Sequence, residues 1–113
     1  MIIDGIALKF ETQKVLRMIA AQASQVSGIP VPALQGPSRR WEVSLMRLYF
    51  IALCVEHGFR KGDIAEFLDR DHSTVWAIYQ RFSESMADFS WVRKSYEQFR
   101  ESINALGTSK KVG

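Results

Sequence analysis

Apolar residues recur along this chain at intervals of three and four, and turn-forming residues cut the pattern into segments. The sequence therefore predicts an all-α fold. Val15, Leu16, Ile19, Ala23 and Val26 mark a first helix over about residues 12 to 27, closed by Gly28. Ile29-Pro30-Val31-Pro32 should be extended or at most a single turn, because each proline drives its predecessor out of the α region. Gly36-Pro37 is a second break, with Ser38 as the N-cap of a helix over about residues 39 to 56. That helix would bury Trp41, Leu45, Leu48, Ala52 and Val55 and end at Gly58. Two shorter segments follow, one carrying Ile64, Ala65, Phe67 and Leu68, the other Val75, Ile78, Tyr79 and Phe82 and reaching about Met86.

A last helix is expected from about Ser90 to Leu106, stopped by Gly107. Its apolar positions Val92, Tyr96, Phe99, Ile103 and Leu106 have coiled-coil-like spacing but cover barely two heptads. Packing on its own domain is the first reading, and a protein interface or homodimer seam the second. The expected organisation is an N-terminal arm (1–11, with residues 2–8 readable as extended), a body (12–89), an extra C-terminal helix (90–107) and a disordered tail (108–113).

The break between the two short segments carries the chemistry. In Arg70-Asp71-His72-Ser73-Thr74-Val75, Asp71 is a good N-cap and the next residues fill the first turn of the second helix. Two short helices with a tight polar break are the layout of a helix-turn-helix, whose second helix reads the DNA major groove. His72, Ser73 and Thr74 are short donors and acceptors able to reach base edges, and the Thr74 methyl can meet a thymine methyl. Arg70 stands where it can hold a phosphate or a guanine.

Charge adds little to this picture. Fifteen Lys and Arg against twelve Asp and Glu give a net +3. Between residues 39 and 82, seven basic residues (39, 40, 47, 60, 61, 70, 81) face six acidic ones (42, 56, 63, 66, 69, 71). Any attraction for nucleic acid must come from where the charges sit rather than from their excess.

Other functions find less support. Asp69 and Asp71 diverge at a helix boundary, two histidines and one cysteine give no zinc set, and no metal is expected. No nucleophile, base and orienter stand in array, so no enzyme and no cofactor are expected. The apolar run around Leu48 to Val55 is far shorter than the about 20 residues of a membrane span. No signal peptide is visible, and a reducing cytoplasm is the expected compartment. Cys54 lies in that apolar run and should be a buried packing residue. His57 reads as a partner for a helix C-terminus. Trp41 and Trp76 should be buried or half-buried, with Trp76 flanking the groove-reading turn, and Trp91 should pack the last helix onto the body.

From about Val15 to Met86 the chain resembles the C-terminal DNA-binding domain (domain IV) of the bacterial replication initiator DnaA. Gly28-Ile-Pro-Val-Pro-Ala-Leu34 is similar to the segment after that domain's first helix, and Ser38-Arg39-Arg40 falls in its basic loop. Ile64-Ala-Glu-Phe-Leu-Asp-Arg-Asp-His-Ser-Thr-Val75 is similar to its helix-turn-helix and signature.

The resemblance implies that Asp71, His72, Ser73 and Thr74 face bases in the major groove, with Arg70 on the backbone or a base at the signature's start. It implies that Arg40 enters the adjacent minor groove, and that Lys61 and Gly62 meet phosphate at a helix start. Gly36 and Pro37 thin the basic loop, Glu42 follows it, and no glycine-rich phosphate loop is present for an ATP-driven initiator. Two functions are therefore carried forward. One is a nucleoid-associated, sequence-specific reader of double-stranded DNA at an initiator-type box, regulating replication initiation or transcription. The other is a non-enzymatic protein of the same fold that acts by contacts with the replication initiator or its regulators.

Overall fold

The computed structural model describes the backbone of residues 5–112 and the side chains of residues 11–106. Among the described residues there are six helices and no strand: α1 (Gly5–Ser27), α2 (Val31–Gln35), α3 (Trp41–Glu56), α4 (Lys61–Leu68), α5 (His72–Asp88) and α6 (Ser90–Val112).

α3 is the axis of the molecule and packs against each of the other five helices. Val43, Met46, Tyr49, Phe50, Ile51, Ala52, Leu53 and Cys54 are all buried, so the helix is enclosed on nearly every side. The single face expected to be buried is accordingly displaced. Ala52 is in the core, Leu45, Leu48 and Val55 are half-buried, and Trp41, one turn beyond its neighbours, is 71% exposed. Burial pushes the Cys54 thiol well above its ordinary pKa, in keeping with a packing residue.

Both terminal helices are longer than the pattern suggests. α1 begins at Gly5, so residues 5–11 of the expected arm continue the first helix; residues 1–4 lie outside the described residues. α1 presents Leu16, Ala20 and Ala23 to the core and ends at Gly28, whose φ of 79° is the left-handed value that favours glycine. α6 passes through Gly107 to Val112, where a stop and a disordered tail are expected from sequence; Gly113 lies outside the described residues. One glycine costs a helix only about 1 kcal/mol, too little to end it alone.

The apolar stripe of α6 closes on the chain itself. Val92, Tyr96, Phe99 and Ile103 are buried in the common core, and Leu106 is half-buried. Tyr96 and Phe99 join Tyr49 of α3 and Phe82 of α5 in an aromatic cluster with ring centroids 5.2 to 5.8 Å apart around Tyr49 and Phe82. These positions thus pack on the chain's own body, the first of the two readings of the stripe. Trp91, expected to pack inward, is 63% exposed.

Candidate nucleic-acid interface

α4 and α5 are joined by three residues. Asp69 caps α4 in the left-handed conformation (φ 56°, ψ 50°), a state that a short polar side chain tolerates better than most. The Asp69 N–H donates to the Glu66 carbonyl at 3.2 Å and the Arg70 N–H to that of Ala65 at 2.9 Å, which satisfies the end of α4. Asp71 then takes the N-cap position of α5, and its carbonyl accepts the Val75 N–H at 3.1 Å. Its carboxylate makes no capping hydrogen bond, although the sequence marks it as a cap.

Asp71, His72, Ser73 and Thr74 are all exposed on this first turn. Val75, directly after the turn, is buried and anchors it, and Phe82 is buried further along the same helix. Between α4 and the turn lies a shallow hollow lined by Ala65, Glu66, Asp69, Arg70, Asp71 and Thr74. Its three carboxylates repel phosphate and suit the amino groups of base edges instead.

Lys61 and Gly62 open α4 beside the middle of α5. The Lys61 ammonium sits 4.2 Å from the Trp76 ring centroid and 5.3 Å from that of Tyr79, so cation–π attraction holds the charge against α5. Trp76 remains 43% exposed at the flank of the polar turn. Nothing lies within 4 Å of where a Gly62 Cβ would stand, which leaves the backbone there open to a close approach.

Arg40 is the N-cap residue of α3, with a side chain 79% exposed and its Nε 3.6 Å from Glu42 Oε2. Ser38, expected to cap this helix, lies two residues outside it; its hydroxyl accepts the Arg40 N–H at 3.4 Å. Arg40 and the first turn of α5 are thus both exposed cationic and polar elements, on separate segments of chain.

Arg70 departs from expectation. Its guanidinium donates to the Leu68 carbonyl at 2.8 Å, to Gly36 at 2.7 Å and to Leu34 at 3.3 Å. It is engaged within the protein, where a phosphate or base contact is expected from sequence. Sequence reasoning also missed Arg47, which is only 6% exposed. Arg47 donates to the carbonyls of Leu34 (2.9 Å), Ala33 (3.1 Å), Gly36 (3.3 Å) and Ser38 (3.4 Å). Burial and the neighbouring Arg70 charge both lower its pKa from the ordinary arginine value. A lone arginine in an apolar run was the only signal available.

Beside the α3–α5 contact, Trp41, Leu45, Leu48, Ile78 and Phe82 line an apolar groove with Arg81 at its rim. Among the described residues no group of three or more His, Cys, Asp or Glu is arranged to hold a metal ion. Among them, too, no helix is long and apolar enough to cross a membrane. Compared with known protein families and with curated proteins, the sequence matches none.

Proposed function

We propose that this protein is a sequence-specific reader of double-stranded DNA, built like the box-reading domain of the replication initiator and able to regulate initiation or transcription at such boxes. The observation that carries this reading is the first turn of α5, where four consecutive short polar side chains stand exposed after a three-residue turn. A turn that served only packing would not need Asp71, His72, Ser73 and Thr74 all facing water.

In this reading α4 and α5 form the helix-turn-helix. Asp71 accepts from a base amino group, and His72, Ser73 and Thr74 meet neighbouring base edges and a thymine methyl. Arg40 enters the adjacent minor groove, where a narrow, A·T-rich groove favours a cation. Lys61, steadied by Trp76 and Tyr79, and the N–H groups at the start of α4 take the phosphates between the grooves.

Fluorescence anisotropy with an initiator-type box duplex and a shuffled duplex, titrated across salt, tests this. A clear preference for the box, with affinity falling steeply as salt rises, supports it. Equal weak binding to both duplexes contradicts it.

A second reading, a protein that works by contacts with the initiator or its regulators, is favoured by one feature. Trp41 is 71% exposed at the edge of the apolar groove between α3 and α5. Under that reading Trp41→Ala abolishes partner binding while His72→Ala leaves it intact; pull-down with purified initiator separates the two.

A further inference from the structure

Two arginines whose guanidinium groups bond within the protein meet at one place. Arg47 rises from α3 and Arg70 from the α4–α5 turn, and among the described residues all seven of their side-chain hydrogen bonds go to backbone carbonyls. Five carbonyls are involved, those of Ala33, Leu34, Gly36, Ser38 and Leu68. The Leu34 and Gly36 carbonyls each accept from both arginines.

The chemistry explains why arginine is needed. α2 and α4 both end here, and the last carbonyls of a helix have no donor within it. The negative ends of two helices favour a cation, and a guanidinium fork can satisfy several acceptors at once where an ammonium cannot. Gln35 adds a third tie, its Nε2 donating to the Phe67 carbonyl at 2.8 Å. Two like charges are thus held side by side, with carbonyl dipoles as their hydrogen-bond partners.

The tie has a consequence for the proposed interface. One side of it is the turn that leads directly into Asp71; the other is the loop from Gly36 to Arg40. We infer that Arg47 and Arg70 are positioning residues that hold the Arg39–Arg40 loop in register with the first turn of α5, so that one duplex meets both. The inference rests on the DNA-reading function, but the tie itself can be tested without DNA.

Trypsin cleavage after Arg39 and Arg40 reports the loop directly. Arg70→Gln should raise that cleavage about tenfold while the helical circular dichroism stays that of the parent, because losing charged hydrogen bonds opens the loop locally. Arg47→Gln, at the buried partner, should do the same; if it does not fold, Arg70→Gln and Arg70→Lys carry the test. Arg70→Lys keeps the charge but not the fork and should stay loose. Unchanged cleavage in Arg70→Gln, or full protection in Arg70→Lys, overturns the tie.

The DNA arm is a double-mutant cycle on an initiator-type box duplex. Arg40→Ala should weaken binding about tenfold in the parent but less than about twofold in Arg70→Gln, because a loosened loop no longer delivers its arginine. Equal losses in the two backgrounds overturn the registering role even if the loop is looser. A parent with no duplex preference overturns the function and with it the registering role, while proteolysis still decides the tie.

Discussion

At its start α5 shows Asp71, His72, Ser73 and Thr74 to water; ten residues on, Phe82 is 1% exposed and stacked edge-on against Tyr49 and Tyr96. The neighbours that hold Phe82, on α3 and α6, bond their own polar tips within the protein. The Tyr49 hydroxyl donates to Ser95 at 2.7 Å, and Tyr96 and Arg100 both bond Glu56. One part of the helix is thus anchored through Phe82 in an internally bonded cluster, whereas its first turn stands exposed. A helix whose second half is fixed in an aromatic core is a stiff handle for the turn it presents, and a reading turn must keep its geometry before the ligand arrives.

If that division is right, the largest effect comes from the buried end. Phe82→Ala should destabilise the fold by about 3–5 kcal/mol in denaturant unfolding, since it removes a buried ring and leaves a cavity that the packed core closes only in part. A loss near 1 kcal/mol would mean that α5 is not anchored there. At the exposed end the pattern inverts. His72→Ala should leave the unfolding midpoint nearly unchanged yet weaken box binding by about 1–3 kcal/mol. The same substitution lowering stability but not binding would reverse the assignment of the two ends.

Smaller effects sharpen the contrast. Tyr49→Phe removes one buried-end hydrogen bond and should cost about 0.5–1.5 kcal/mol of stability with no change in DNA affinity. Alkaline pH should act through the core. Burial keeps Cys54 protonated above its ordinary 9.0, and burial with the Glu56 charge keeps Tyr96 protonated above its ordinary 10.0. Above about pH 9 the unfolded chain has released protons that the folded chain retains, so stability falls as pH rises. Cys54→Ala should make that fall shallower between pH 9 and 10, measured by urea unfolding at each pH.

Helix existence was legible almost throughout the sequence, because period-3.6 burial leaves a direct trace. The α4–α5 break was the clearest part, since an apolar stripe ends at Leu68 and resumes at Val75 with only polar residues between. The buried face of α3 was not legible. A helix enclosed on nearly every side has no single stripe, and Trp41 looked like its start because it is large and apolar. The helix ends at Gly5 and Val112 escaped for a different reason: terminal turns are set by neighbours and small propensity sums rather than by one residue.

The candidate site divides in the same way. Asp71 to Thr74 could be found because exposed polar residues at a helix start form a local pattern. Arg70 is adjacent to them and was grouped with them, yet two of the three carbonyls its guanidinium bonds lie 34 and 36 residues away, at Gly36 and Leu34. Arg47 binds only carbonyls, which every residue possesses, so no partner residue type could have announced it. The stripe on α6 shows the converse, a regular pattern open to self-packing or to a partner seam, whose residues lie in the chain's own core.

Whether one end of α5 meets DNA is decided by amide chemical-shift mapping of the labelled protein with an initiator-type box duplex. The perturbed amides should cluster at residues 71–74, 61–62 and 38–40, with the aromatic core and α6 quiet. Perturbation confined to the Trp41–Leu48 groove, or none anywhere at concentrations that saturate a specific reader, would contradict it.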